Sequence, residues 1–145
     1  MLKVSDMSPA EMHALLQRES FGHLGCARDG RPYVVPMHYA YDGKDLYFFT
    51  TLGMKTQFIE ANPQVCLQIE EVTDSTKWRS VMVIGRANEL TTADEMQRAM
   101  KLITERNPSL TPAISATELD SLGRAVDIAL YRITPEIIDG RQTAS

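Results

Sequence analysis

Residues 46–67, LYFFTTLGMKTQFIEANPQVCL, hold the densest set of groups suited to gripping an anion. Thr50, Thr51 and Thr56 supply hydroxyl donors, and Lys55 supplies a mobile ammonium that suits a dianionic phosphate monoester. Gly53 is read as letting the backbone turn closely between them. Threonines are common at strand ends and a lone lysine in a turn is usually just solvated, so this corner takes its meaning from its surroundings.

Other chemistries find less support. His13, His23 and His38 fall on three different elements, and Cys26 and Cys66 have no CxxC or HxxxH partner, so no metal site is expected. A Cys nucleophile with His38 as base would need neighbours that the order of residues does not reveal, and buried cysteines are more often inert packing. GxGxxG and GxxxxGK[ST] are both missing, so neither the dinucleotide fold nor the nucleoside-triphosphate loop is supported. His38 itself reads either as a satisfied polar residue on the outer face of a strand or as a donor facing a ligand. It follows a strand carrying Pro36, whose missing N–H points to an edge or a bulge.

The elements that must position these groups are well marked. Ser8, Pro9 and Glu11 spell a helix start with a capping box, and Met12, Leu15 and Leu16 form the buried stripe behind it. Asp-Gly pairs at 29–30 and 42–43 separate three antiparallel strands at about 22–28, 31–41 and 45–51. A short helix from Lys55 to Ala61 stops at Asn62-Pro63. Val65, Leu67 and Ile69 alternate with Cys66, Gln68 and Glu70 in a strand running to Glu71. Trp78 to Leu90 is a further strand, with Gly85 at a bulge or a close approach. Capping boxes at Thr92/Glu95 and Ser115/Glu118 announce two more helices, with Met96, Met100 and Ile103 lining the first and Ile114 and Leu119 stapling the second. Val126 to Thr134 is the sixth strand, and the tail from Pro135 is polar enough to fray. The expected fold is mainly β with peripheral α-helices, a closed or partly closed antiparallel barrel of six strands.

With 145 residues the chain fits one domain, residues 1–145, and with 43% hydrophobic and 23% charged residues it has an ordinary globular composition. A net charge of −4 and a pI near 5.3 argue against nucleic acid as a partner. Neither an apolar stretch of membrane-spanning length nor a leader-like start is seen, so a cytoplasmic location without membrane contact is expected. The cysteines are read as free buried thiols.

Taken in order, these segments resemble the pyridoxamine 5'-phosphate oxidase-like family of FMN-binding split β-barrels. The likeness runs from Phe21 to Leu90 through GRPYVVPMHYAYDGKDLYFFTTLGMKTQFIEANPQVCLQIEE and WRSVMVIGRANEL: a proline-bearing strand, a strand-to-helix phosphate corner, an Asn-Pro stop and a V-x-V-x-G strand. The resemblance implies a six-stranded antiparallel split β-barrel working as a homodimer with FMN at the subunit interface. Flavin phosphate would lie near Lys55 and Thr56, with Thr50 and Thr51 at the phosphate or ribityl chain. Met37, His38 and Tyr39 would lie beside the isoalloxazine through main-chain groups, and Gln68, Trp78 and Ser80 would come from the second subunit.

Two departures qualify the likeness. Met54 stands where the family often has an arginine before the lysine, which makes Arg79 a candidate for the missing charge. The tail ALYRITPEIIDGRQ lacks the Trp- and Arg-bearing substrate motif of true pyridoxamine phosphate oxidases, so the smaller members related to nitroimidazole resistance are the nearer likeness. The implied function is flavin-mediated hydride or electron transfer between a small-molecule donor and acceptor. The alternatives are an F420-dependent reductase, a flavin or haem carrier or sensor with His23 or His38 as axial ligand, and a barrel without ligand serving as an interaction module.

Overall fold

The computed structural model describes residues 2–51, 53–110 and 128–144. Eight strands, three α-helices and one 3-10 turn follow in chain order: β1 (Lys3–Asp6), α1 (Pro9–Arg18), β2 (Phe21–Arg28), β3 (Arg31–His38), β4 (Ala40–Tyr41), β5 (Leu46–Thr51), α2 (Met54–Ala61), β6 (Gln64–Asp74), β7 (Lys77–Glu89), α3 (Ala93–Arg106), the 3-10 turn (Pro108–Leu110) and β8 (Ile128–Ala144).

One antiparallel sheet runs in the order β3-β2-β6-β7-β8-β5-β4, with β1 added beside β8. Its two ends, β3 and β4, are consecutive in the chain and separated by Tyr39 alone. The sheet must therefore curl until its edges meet, and the chain itself crosses the gap without a ladder between β3 and β4. The result is barrel-like but not closed by hydrogen bonds. β8 is the spine, pairing β5 through Ile128–Ile133 and β7 through Tyr131–Gln142.

Local chemistry explains the turns and caps. Asp29 and Gly30 both take positive φ, 51° and 77°, which is the two-residue hairpin turn that the Asp-Gly pair announces. Ser8 Oγ accepts from the Glu11 N–H at 3.2 Å while the Glu11 carboxylate accepts from the Ser8 N–H at 2.9 Å. Arg18, at the end of α1, holds Glu71 of β6 through two hydrogen bonds of 3.0 Å, and Arg18 is the chief reason that Glu71 sits below the usual carboxylate range. At Gly85 a Cβ would stand 2.3 Å from the Thr134 carbonyl oxygen. This close approach coincides with the bulge between Ile84 and Gly85, opposite Pro135.

The inner face of the sheet holds the main core, with Leu24, Phe48, Leu67, Ile69, Val81, Val83 and Ile133 under Leu15 and Leu16 of α1 and Ile59 of α2. A second cluster puts Ala99 and Ile103 of α3 against Ala40, Ile128 and Leu130, so α3 covers the outer side of the β4–β5–β8 region. Met12, Met96 and Met100 complete the helix stripes expected for them.

Several expectations need correcting. The strand count is eight among the described residues, not six, and the expected strand 31–41 is two strands that change partner at Tyr39. The tail does not fray, because its backbone is flanked by β7 on one side and β1 on the other. Pro135 is tolerated there because it falls at the bulge. Four-residue β1 carries no alternation of its own and exists through its long-range partner. The helix expected at Ser115 and Glu118, with Ile114 and Leu119, lies outside the described residues, as does Val126.

Candidate functional site

β5 delivers Thr50 and Thr51 to its C-terminal end by pairing them with Ala129 and Ile128, and α2 starts at Met54. The first-turn N–H groups of α2 have no intrahelical acceptor, the helix dipole adds positive charge there, and no carboxylate stands in that turn. Lys55 is half-buried and enters no ion pair with the described residues. Thr51 is exposed.

The remaining hydroxyls of this corner are already engaged. Thr50 is buried and donates to the Thr51 carbonyl at 3.2 Å. Thr56 accepts from the Gly53 N–H at 3.0 Å and donates to the Gly53 carbonyl at 2.8 Å, which makes it the cap of α2. Gly53 itself is extended at φ 166°, and a Cβ there would meet nothing within 4 Å, so the close turn expected of it is not what the backbone does. A cavity of about 340 Å³ beside Thr56 is lined by Glu60 and Glu89, whose charges repel an anion. The groups left to meet a phosphate are Lys55, the Thr51 hydroxyl and the first-turn N–H donors.

Cys26 lies under this corner on the core face, where burial first and neighbouring Cys66 second push its thiol up to about 11, with Lys55 opposing. At neutral pH it is a protonated packing group. Cys66 sits on the opposite face of the sheet, and both thiols are free.

A second group forms where the chain crosses from β3 to β4. Met37 is buried on the core face. The Tyr39 side chain is also buried, its hydroxyl donating to the Leu16 carbonyl at 2.8 Å, and burial raises its pKa above the usual phenol range. The Tyr39 N–H donates to Ser20 O at 3.0 Å and its carbonyl accepts from Asn107 Nδ2 at 3.1 Å, so both main-chain groups are already used. His38, half-buried, points to the other face, with its ring edge-on to Phe21 at 5.0 Å and Nδ1 at 3.1 Å from Asn107 Oδ1.

Gln68 and Ser80 belong to that same outer face. Gln68 stands beside His23 in the β2–β6 register and donates to Ser80 Oγ at 2.9 Å, while His23 packs on Phe21 at 6.0 Å. Phe21, His23, His38, Gln68 and Ser80 thus form one aromatic and polar band. Trp78 lies further along β7, beside a cavity of about 310 Å³. This band and Trp78 occupy the opposite end of the β6–β7 ladder from the α2 corner. Arg79 is with them: it pairs in register with Glu71 and Gln142, away from Lys55.

Phe21 and Asn107 were not singled out in the sequence. Asn107 had one local signal, the Asn-Pro pair that also ends α2, whereas Phe21, just ahead of the strand expected at 22–28, gave none. Among the described residues no three His, Cys, Asp or Glu side chains converge as metal ligands. A cavity of about 790 Å³ lies between α3 and the β4–β5–β8 region, but its polar walls are consumed internally through Arg132–Glu95 at 3.1 Å, Arg98–Asp94 at 3.5 Å and Tyr47–Asp42 at 3.1 Å.

Comparison with known proteins gives consistent results. The family model described as pyridoxamine 5'-phosphate oxidase matches residues 8–142. An uncharacterised protein of Rhizobium meliloti (strain 1021) is 40% identical over 84 residues, which are 58% of this chain and 56% of that protein. The match thus spans about half the length of that curated relative. Among solved structures, a FAD-binding protein from Mesorhizobium loti superposes with a TM-score of 0.79 at 30% identity, covering 100% of both chains. A candidate 5-nitroimidazole antibiotic resistance protein from Bacteroides thetaiotaomicron shares the fold with a TM-score of 0.77 at 18% identity, covering 99% of this chain and 89% of that one.

Proposed function

Because this chain belongs to the pyridoxamine 5'-phosphate oxidase family, we propose that it binds a flavin, FMN in the first instance, and passes hydride or electrons from a small-molecule donor to an acceptor. The observation that carries this reading is the β5–α2 corner. Lys55, Thr51 and the first-turn N–H groups of α2 all belong to this corner, with no carboxylate in that turn, a donor set that fits a phosphate monoester. The bound flavin supplies the redox chemistry. The chain's own residues hold the phosphate, fix the ring's orientation and exclude water.

A second copy of the chain completes the site in this reading. Among the described residues no helix lies over the outer face of β3-β2-β6-β7, and it exposes Phe21 at 43%, Val34 at 64% and Met82 at 40%, with Ile137 of β8 alongside at 55%. Exposed apolar side chains gathered on one sheet face mark an interaction site, and the simplest closed assembly is a two-fold dimer. His38, Gln68 and Ser80 lie on that face, so pairing two copies through it would set the corner of one protomer near the band of the other. The 145 residues act as one domain in this scheme. FAD is the second reading, favoured by the Mesorhizobium loti protein that matches over its whole length.

The test is an absorption spectrum of the freshly purified protein followed by mass identification of the released cofactor. A flavin spectrum with FMN released is expected, and FAD released selects the second reading. A deazaflavin, a haem, or a colourless protein that takes up neither flavin overturns both. Reduction by NADH or NADPH with turnover of an added acceptor then separates an enzyme from a carrier.

A further inference from the structure

Asn107 is 4% exposed and closes α3 immediately before Pro108. Its Nδ2 donates to two main-chain carbonyls, Tyr39 at 3.1 Å and Ile103 at 3.1 Å, while its Oδ1 faces His38 Nδ1 at 3.1 Å. The orientation of this amide follows from donor and acceptor inventories. Two carbonyl oxygens can only accept, so they require the NH2 end, and the oxygen is left for His38. An amide oxygen cannot donate, so Nδ1 of His38 must carry the proton. In the neutral ring the lone pair is therefore on Nε2, which has no hydrogen-bond partner among the described residues.

We propose that Asn107 is a positioning residue that holds His38 in its Nδ1–H tautomer and thereby leaves Nε2 as an acceptor for a ligand N–H or O–H group on the outer sheet face. The ligand half of this inference rests on the flavin reading above, since an isoalloxazine carries an imide N–H of that class. The tautomer half stands on the contacts of this chain alone. The chemistry excludes a ligand carbonyl at this position, because a neutral His38 in this tautomer has no second donor.

Long-range ¹H–¹⁵N correlation of the histidine ring nitrogens in flavin-free protein, at a pH where the ring is neutral, reads the tautomer directly. Wild-type His38 is expected to show Nδ1–H. Asn107→Asp keeps an acceptor for Nδ1 and is expected to retain that signature, whereas Asn107→Ala is expected to give a mixture of both tautomers. Nε2–H in the wild type, or an unchanged Nδ1–H signature in Asn107→Ala, would overturn the assignment. Should Asn107→Ala fail to fold, the wild-type and Asn107→Asp spectra still decide the matter.

His38→Phe keeps a ring against Phe21 and removes the acceptor, so FMN binding is expected to weaken about three- to tenfold, the range of one neutral hydrogen bond. Unchanged FMN affinity in that variant would sink the ligand half. A wild-type protein that binds no FMN sinks the flavin reading instead, while the nitrogen spectrum still reports on Asn107.

Discussion

Lys55 is the charged side chain of the α2 corner that no carboxylate among the described residues neutralises. Removing it should leave the fold intact, since it is partly exposed and takes no part in an ion pair among the described residues. Lys55→Ala is therefore expected to weaken FMN binding by about 1–3 kcal/mol, as for a charge-assisted hydrogen bond to phosphate, with a melting temperature near that of the wild type. Isothermal titration with FMN checks it, and an unchanged affinity would place the phosphate elsewhere. The individual threonines carry different weight than their shared residue type suggests. Thr56 is spent on Gly53 and Thr50 on the Thr51 carbonyl, leaving Thr51 as the exposed hydroxyl. Residue type could mark all three as donors, but which of them has a spare hydrogen depends on distances of about 3 Å that only the folded backbone sets.

Helices α2 and α3 end in the same way. Each stops at an Asn-Pro pair, and each asparagine side chain reaches across to a carbonyl outside its own helix, Asn62 to Ala27 at 3.0 Å and Asn107 to Tyr39 at 3.1 Å. The Pro explains the stop, because the residue before it is pushed out of helical geometry, while the asparagine ties the stop to β2 or to the β3–β4 crossing. Among the strands, β7 and β8 depend on Gly85. Adding a Cβ at 2.3 Å from the Thr134 carbonyl oxygen would force backbone apart at the bulge. Gly85→Ala is expected to cost about 1–3 kcal/mol or more, read as a lowered midpoint in urea, and a midpoint equal to wild type would show that the bulge relaxes freely. Gly85 was legible as a bulge or close approach, whereas the continuation of β8 past Pro135 was not. A polar segment becomes a strand here because neighbours on both sides satisfy its backbone, and those neighbours, β1 and β7, are remote in sequence.

At the scale of the whole molecule, the described residues cover one side of the sheet and leave the other uncovered. α3 packs on the outer side of the β4–β5–β8 region, and nothing among the described residues packs over the apolar face of β3-β2-β6-β7. If a second copy occupies that face, a charge placed in its middle should separate the protomers without unfolding either. Met82→Asp, next to Gln68 in the register, is expected to convert a dimer to a monomer by analytical ultracentrifugation and to release flavin along with it. A monomeric wild type would sink the shared-site reading, and so would a monomeric variant that keeps its flavin.

Local signals settled much of this protein before any tertiary contact was known. The capping residues Ser8, Glu11 and Thr92, the Asp29-Gly30 turn, the Asn62-Pro63 stop, the alternation in β6 and the ordered segments of the family are written in neighbouring residues, because caps, turns and side-chain periodicity act over a few positions. Tertiary structure decided where the strand through Tyr39 changes partner, that the sheet curls without closing, which threonine has an exposed hydroxyl, and that Asn107 holds His38. Each of these depends on groups far apart in sequence meeting at hydrogen-bond distance. A chain of residue types can name the donors and acceptors but not which of them will already be satisfied.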